Sequence, residues 1–243
     1  MTSSMYKNLA KYYDLVYAGK DYRREAKEIC RVILKYKRSK GNSLLEVACG
    51  TGRYLEHMRR DFSCMGLDLN EPMLRIARRR LPGIRLVRGN MADFSLDKEF
   101  DVITCLFSSI GYLKTYDRLG RALRNFSKHL KTGGVVVIAP WLTKATYKVG
   151  TTHLSIYDGK DIKVARANIS NARKGLSILE MHYLVAEDNK GVKHFVSTEE
   201  LGMFETARTL ELMRKAGLDA RFLKEAGSDK RGLFVGIKLR QDA

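Results

Sequence analysis

At 243 residues and 44% hydrophobic content, the chain suits one large domain, or one domain with an elaborate insert, around a sizeable core. The 45 Lys and Arg against 27 Asp and Glu give a formal charge of +18, which leaves nucleic acid, a membrane surface or an anionic small molecule open as partner. No run approaches the ~18 uninterrupted apolar residues of a membrane span, and the four cysteines lack the close pairing of a zinc site, so no metal is expected.

The opening "MTSSMYKNLAKYYDLVY" lacks a basic segment followed by a long apolar one, so a cytoplasmic protein is expected. Residues 22–37 set Tyr22, Ala26, Ile29, Cys30, Ile33 and Leu34 on one stripe, the pattern of an amphipathic helix, and "KRSKGNS" breaks it. Apolar runs then alternate with helical segments. Strands are expected at Leu44–Ala48, Cys64–Asp68, Ile84–Arg88, Asp101–Cys105 and Val135–Ala139. Helices are expected from Arg53, from Pro72 and over 117–130. Asn70 can cap the helix at Pro72, and Arg78–Arg80 suit its negative end. This order predicts an α/β fold with a doubly wound parallel sheet.

Between about 151 and 198, turn signals at "DGKD", "NARKG" and "EDNKG" divide short strands, which reads as an antiparallel β insert. The doubly wound pattern resumes with a helix over 205–216, a strand near 220–225 and another in "GLFVGIKL". The expected organisation is one domain: a helical segment over 1–40, a core over 41–150 and 200–243, and the insert over 151–199. Lys and Arg are spread along the chain, which fits a solvated basic surface. One glutamine, Gln241, against 72 charged residues is a heat-adapted composition.

The chemistry concentrates in "LLEVACGTG" at 44–52. Strand, glycine turn and helix form the nucleotide-binding arrangement of doubly wound folds, and Gly50 and Gly52 allow a sharp bend and close backbone approach. The third glycine of a pyrophosphate-binding turn is missing, and Glu46 precedes the turn, where a carboxylate suits a cation or hydroxyls better than phosphate. Asp68, sixteen residues after Gly52, ends the second strand where a carboxylate can grip both ribose hydroxyls, with Leu69 and Met73 beside it. After the third strand, "RGNMADF" offers Asn90, Met91 and Asp93 to an adenine. After the fourth come Phe107, Ser109 and Tyr112, at a strand end where a second ligand would sit. His57 and His129 read as surface or packing residues. His182 and His194 lie in the insert, and His182 is the candidate for proton removal.

The combination resembles class I S-adenosylmethionine-dependent methyltransferases, with Ala48 replacing the common first glycine. The chain is similar to one subgroup over nearly its full length, the dTDP-aminosugar N,N-dimethyltransferases of macrolide deoxysugar pathways. The matching segments include "YYDLVYAGKDYRREA", "FSSIGYL", "HLKTGGVVVIAPW", "MHYLVAED" and "RGLFVG". This resemblance implies a Rossmann-like seven-stranded sheet with its last strand antiparallel, an insert over the active site, S-adenosyl-L-methionine as cofactor and a homodimer. It implies an amine of a dTDP-linked sugar as acceptor, with Tyr17 and Tyr112 flanking the amine and Arg231 approaching the diphosphate. It also implies that the amino-terminal segment carrying Tyr22 closes over the cofactor. Trp141 reads as a wall of the acceptor site or as core.

Two stretches depart from the subgroup: Ala139-Pro140-Trp141-Leu142, and "VSTEELGMFETARTL", where the sugar enzymes tend to carry His near 199 and an aromatic residue near 210. The expected activity is N-methylation of a small amine. The alternatives are an RNA- or protein-modifying methyltransferase recruited by the basic surface, and a non-catalytic binder of the cofactor. Nucleic acid is not favoured, because strand four lacks the Asn/Asp-Pro-Pro-aromatic signature of adenine amino-group methylation.

Overall fold

Strands β1 (Ser43–Val47) and β4 (Phe100–Cys105) are buried along their whole length, which is why they read as apolar runs and not as alternating ones. Both lie at the centre of a seven-stranded sheet in a computed structural model that describes residues 9–227 and 231–240. The sheet also contains β2 (Ser63–Asp68), β3 (Arg85–Arg88), β5 (Leu130–Ile138), β10 (Leu218–Leu223) and β11 (Leu233–Lys238). Its order is β10-β11-β5-β4-β1-β2-β3. The strands β1 to β5 are parallel, whereas β11, the last in the chain, runs antiparallel to both neighbours. The order reverses at β1, so the carboxyl ends of β1, β2 and β4 open onto one crevice.

Helices cover both faces. The first pair, α1 (Ala10–Val16) and α2 (Tyr22–Tyr36), precedes the sheet, and α3 (Arg53–Met58), α4 (Glu71–Arg80), α5 (Tyr116–Lys128) and α6 (Thr206–Lys215) follow strands as expected. The stripe read from residues 22–37 is the buried face of α2, with Tyr22, Ala26, Ile29, Cys30 and Ile33 inward and Leu34 exposed. Asn70 occupies the cap position of α4, but its side chain turns back to Asp68 and caps nothing. None of these helices is long and apolar enough to cross a membrane.

The insert differs from expectation in length. It is a four-stranded antiparallel sheet, β6 (Thr152–Asp158), β7 (Ile162–Arg173), β8 (Leu176–Glu187) and β9 (Gly191–Gly202), with three strands of 12 residues. The turn signals coincide with the strand ends, but the strands between them are long, and β9 continues past 198 to Gly202. The inner face of this sheet packs on α1, where Leu9 and Tyr12 cluster with Val164, Met181, Tyr183 and Val185. Helix α1 is thus held between the insert and the carboxyl end of the main sheet.

One buried carboxylate joins the central strands at their opposite end. Asp101 on β4 accepts from the Ser43 hydroxyl and backbone N–H of β1 at 2.6 and 3.0 Å and from Lys131 at 2.9 Å. Burial pulls its pKa upward, but these donors win and hold the carboxyl well below the usual aspartate range. Its stabilisation is therefore complete above the ~3.9 of an unfolded aspartate and is lost as the pH falls toward the folded value. Melting temperatures measured from pH 7 to pH 2 should drop steeply below about pH 4. Asp101→Asn should melt lower at pH 7 and show a shallower acid slope; an unchanged slope would refute the linkage.

Candidate active site

The turn after β1 is built from left-handed backbone. Ala48, Gly50 and Gly52 have φ of 59°, 55° and 79°. At Gly52 a Cβ would stand 2.5 Å from Leu81 Cδ1, so this glycine serves close packing against the end of α4 and does not border the crevice. Gly50 donates its N–H to Asp68 Oδ2 at 2.8 Å, while the Asn70 N–H and side-chain amide donate to Oδ1 at 2.8 and 3.2 Å. Asp68 therefore locks the loops after β1 and β2 together and presents a fixed carboxylate to the crevice.

Glu46 is buried on the neighbouring strand, and its Oε2 has no hydrogen-bond partner among the described residues. Burial, then the Asp68 charge, push its pKa well above the ordinary glutamate value. A buried, unpaired carboxyl oxygen costs stability unless something binds there. Glu46 borders a narrow cavity of about 40 Å³, together with Ala48, Gly50, Tyr22, Arg53 and Phe107. The Arg53 guanidinium lies 5.1 Å from the Tyr22 ring centre, and its buried Nε lacks a hydrogen-bond partner among the described residues.

This neck adjoins a cavity of about 670 Å³ bordered by Asp68, Leu69, Met73, Asn90 and Met91. Asp93 is not among its walls. The Asn90 side chain accepts from the Ala92 N–H, the Asn90 carbonyl accepts from the N–H groups of Asp93 and Phe94, and Ala92 and Phe94 turn into the core. That turn leaves Asp93 exposed, with the Asn90 side-chain amide donating to its carboxylate at 3.2 Å.

A second cavity of about 650 Å³ lies between the carboxyl end of the sheet and the insert. Tyr17, Phe107, Trp141 and Arg231 all border it. Arg166 on β7 donates to the Tyr17 hydroxyl at 3.0 Å. The Trp141 indole N–H donates to Ser177 at 2.7 Å, and the Arg231 guanidinium lies 5.2 Å from the Trp141 ring centre. Phe107 and Ser108 both have positive φ, which reverses the chain after β4. Ser108 donates to the Pro140 carbonyl at 2.7 Å and accepts from Arg231 at 3.0 Å, tying three strand ends into one wall. The two large cavities share four residues: Tyr13, Ser109, Tyr112 and Glu199.

His182 and His194 stand elsewhere, contrary to expectation. Along β8, Met181, Tyr183 and Val185 point inward, which turns His182 outward; along β9, Ser197, Glu199 and Leu201 are buried and His194 is exposed. The two rings stack on the outer face at 5.2 Å, with Glu180 at 3.2 Å from His182. The inner face carries Arg166, which no motif marks, and Glu199, in the stretch where the sugar enzymes tend to carry His. Tyr13 and Asp14 were also missed, within a segment that the resemblance had highlighted for Tyr17 and Tyr22.

A family model described as a methyltransferase domain matches residues 44–134. Over 231 residues the chain is 40% identical to the dTDP-3-amino-3,4,6-trideoxy-alpha-D-glucopyranose N,N-dimethyltransferase of Streptomyces venezuelae, covering 94% of this chain and 97% of that one. The chain belongs to the class I methyltransferases, in the dTDP-aminosugar N,N-dimethyltransferase family. Among solved structures, Streptomyces venezuelae DesVI superposes with a TM-score of 0.89 at 40% identity, over 94% of this chain and 98% of that one. CalS10, an amino pentose methyltransferase from Micromonospora echinaspora solved with S-adenosylmethionine bound, superposes at 0.84 with 32% identity, over 93% and 96%. This methyltransferase is thus an enzyme with S-adenosylmethionine as methyl donor.

In this methyltransferase α1 is latched to the glycine turn. Asp14 accepts from Thr51 at 2.7 Å and pairs with Arg80 at 2.6 Å, and Arg80 also donates to the Thr51 carbonyl. Asp14→Ala should let α1 open while the sheet stays closed. Amides of residues 10–17 should then exchange at least about tenfold faster, with core amides unchanged, equivalent to losing ~1.4 kcal/mol of local stability. Uniform exchange in variant and wild type would show that the latch carries no weight.

Proposed function

We propose that this enzyme methylates the amine of a nucleotide-linked aminosugar, with S-adenosylmethionine in the crevice at β1 and β2 and the sugar nucleotide between sheet and insert. The observation that carries this reading is the meeting of two cavities, each large enough for a small molecule, at Tyr13, Ser109, Tyr112 and Glu199. The relatives named above act on dTDP-linked or pentose amines, which supports the acceptor class.

The residues fit the cofactor. Asp68, oriented by two backbone N–H groups, would take the ribose hydroxyls, with Leu69, Asn90 and Met91 against the adenine. Met73, whose methyl lies 3.6 Å from a Cβ built on Gly50, would back the same crevice. The neck would take the methionine end: Glu46 for its ammonium, Arg53 for its carboxylate, and Tyr22 closing the side. Asp93 has no part in this reading. When bound there, S-adenosylmethionine supplies a sulfonium-activated methyl group. The described part of the amino-terminal segment, residues 9–40, would act as the cover, with α1 latched by Asp14.

On the acceptor side the protein mainly has to align a neutral amine. Tyr17, its hydroxyl oriented by Arg166, and Tyr112 would hold the amine by hydrogen bonds and offer ring faces to positive charge. Trp141 and Ser109 would wall the sugar, and Arg231 would meet the diphosphate with its planar fork. The basic balance of the chain favours such an anionic substrate.

The outer face of the insert supports the homodimer implied by the resemblance. Leu154, Ala167, His182 and Val196 align across the four strands, followed by Ile156, Ala165, Leu184 and His194. Most of these side chains are apolar and exposed. Two copies of a +18 chain repel, so pairing needs a face poor in charge, and a self-complementary apolar sheet suits a two-fold contact.

Three outcomes follow from this reading. Burial and the Asp68 charge raise the Glu46 pKa, so a cationic ammonium bound beside it should lower that pKa again and release protons on binding. Calorimetry in two buffers of different ionisation enthalpy should detect that release, and Glu46→Gln should abolish it and weaken binding about tenfold or more; buffer-independent heats would count against the assignment. In a methyl-transfer assay over dTDP-aminosugars, free amines and tRNA, a dTDP-aminosugar should be the best acceptor. Arg231→Ala should raise its KM at least about tenfold with the cofactor KM unchanged, and equal effects on both would refute the diphosphate role. In sedimentation velocity the 27.7 kDa chain should run as a dimer and Ile156→Lys as a monomer; a monomeric wild type would end the dimer proposal.

A further inference from the structure

Glu199 is a carboxylate placed at the one boundary where donor and acceptor must meet. It lies on the inner face of β9, opposite Leu179 of β8, and is 3% exposed. The residue borders both large cavities. Ser197, two residues earlier on the same face, donates to Oε1 at 3.0 Å and so orients the carboxylate. Of the four residues common to the two cavities, Tyr13, Ser109 and Tyr112 carry hydroxyls, and Glu199 alone carries a formal negative charge.

Its surroundings are mixed in charge. Tyr13 from α1 and Tyr112 from the 3-10 turn (Ser109–Leu113) share the boundary, and Arg166 from β7 and Tyr183 from β8 lie on the same inner face. The Tyr183 phenol is raised first by burial and then by Tyr17, with Arg166 opposing and Glu199 adding to the rise. The two charged side chains thus act on one spot. A negative group buried on this wall favours a cationic partner over a neutral one.

We propose that Glu199 is the carboxylate that receives the acceptor amine and takes its proton. This rests on the function proposed above. An amine flanked by electron-withdrawing oxygens has a conjugate acid nearer the ~8 of an α-amino group than the ~10.4 of lysine, so much of it arrives as ammonium at neutral pH. The ammonium binds to the carboxylate. One N–H bond breaks, its electron pair stays on nitrogen as the lone pair, and the proton passes to a Glu199 oxygen and from there to water. The neutral amine is left facing the cofactor cavity. The carboxylate also selects for an amine over a hydroxyl at that position of the sugar, because a hydroxyl brings no charge to compensate it.

The test compares wild type, Glu199→Gln and Glu199→Asp with two probes, dTDP-3-amino-3,4,6-trideoxyglucose and dTDP-glucose. Calorimetry without cofactor at pH 7 should show wild type binding the amine at least about tenfold tighter than the hydroxyl analogue. Glu199→Gln should lose that preference yet keep its affinity for dTDP-glucose and S-adenosylmethionine, which establishes that both cavities remain intact. In the transfer assay its kcat at pH 7 should fall about 100-fold and recover toward pH 9, where the amine is already neutral in solution; Glu199→Asp should retain part of the activity. A structural lesion would not be repaired by pH. Retained amine preference together with a wild-type kcat at pH 7 in Glu199→Gln would overturn the assignment of Glu199 alone. A wild type that binds and methylates no dTDP-aminosugar would overturn the proposed function, and this inference with it.

Discussion

Two acidic side chains on adjacent central strands, Glu46 and Asp68, are buried within one sheet edge, and the rest of the site is arranged around that cost. The Asp68 charge disfavours ionisation of Glu46, and burial penalises both. Asp68 is compensated by donors from the loops after β1 and β2, which is why those loops have fixed geometry. Glu46 keeps one oxygen without a partner among the described residues. A fold that stability alone had shaped would replace it with an apolar residue. Its presence makes sense if a cation completes the strand end.

The cover over this edge is held by polar contacts and the floor by packing. The described part of α1 meets the insert through Leu9 and Tyr12 but meets the glycine turn through Asp14, Thr51 and Arg80. The acceptor wall is different in kind. Ser108 ties the ends of β4, β5 and β11 through Pro140 and Arg231, giving the acceptor cavity a rigid back.

Much of this was legible in the sequence, for reasons that particular residues make plain. The glycine turn, Asp68 and the strand order follow from local chemistry, since a left-handed turn and a strand-end carboxylate each leave a short motif. The insert was harder. Strands of 12 residues with apolar side chains on both faces, such as β8 with Leu179 and Met181 inward and Leu184 outward, do not declare which parity faces the core. A shift of one residue exchanges the faces. Residue type alone therefore puts His182 and His194 on the acceptor side, whereas Arg166 and Glu199 lie on the opposite parity, the latter visible in the sequence only as a departure from the subgroup. Asp93 stands outside the crevice for a local reason: the Asn90 turn that orients Ala92 and Phe94 into the core leaves the intervening carboxylate exposed.

The most direct measurement is a crystal structure of the enzyme with S-adenosylmethionine. If the paired carboxylates hold the cofactor, both ribose hydroxyls will lie within hydrogen-bond distance of Asp68, and the methionine ammonium will occupy the vacant side of Glu46. A cofactor bound elsewhere, or seated in the crevice with Glu46 Oε2 still lacking a partner, would contradict that arrangement.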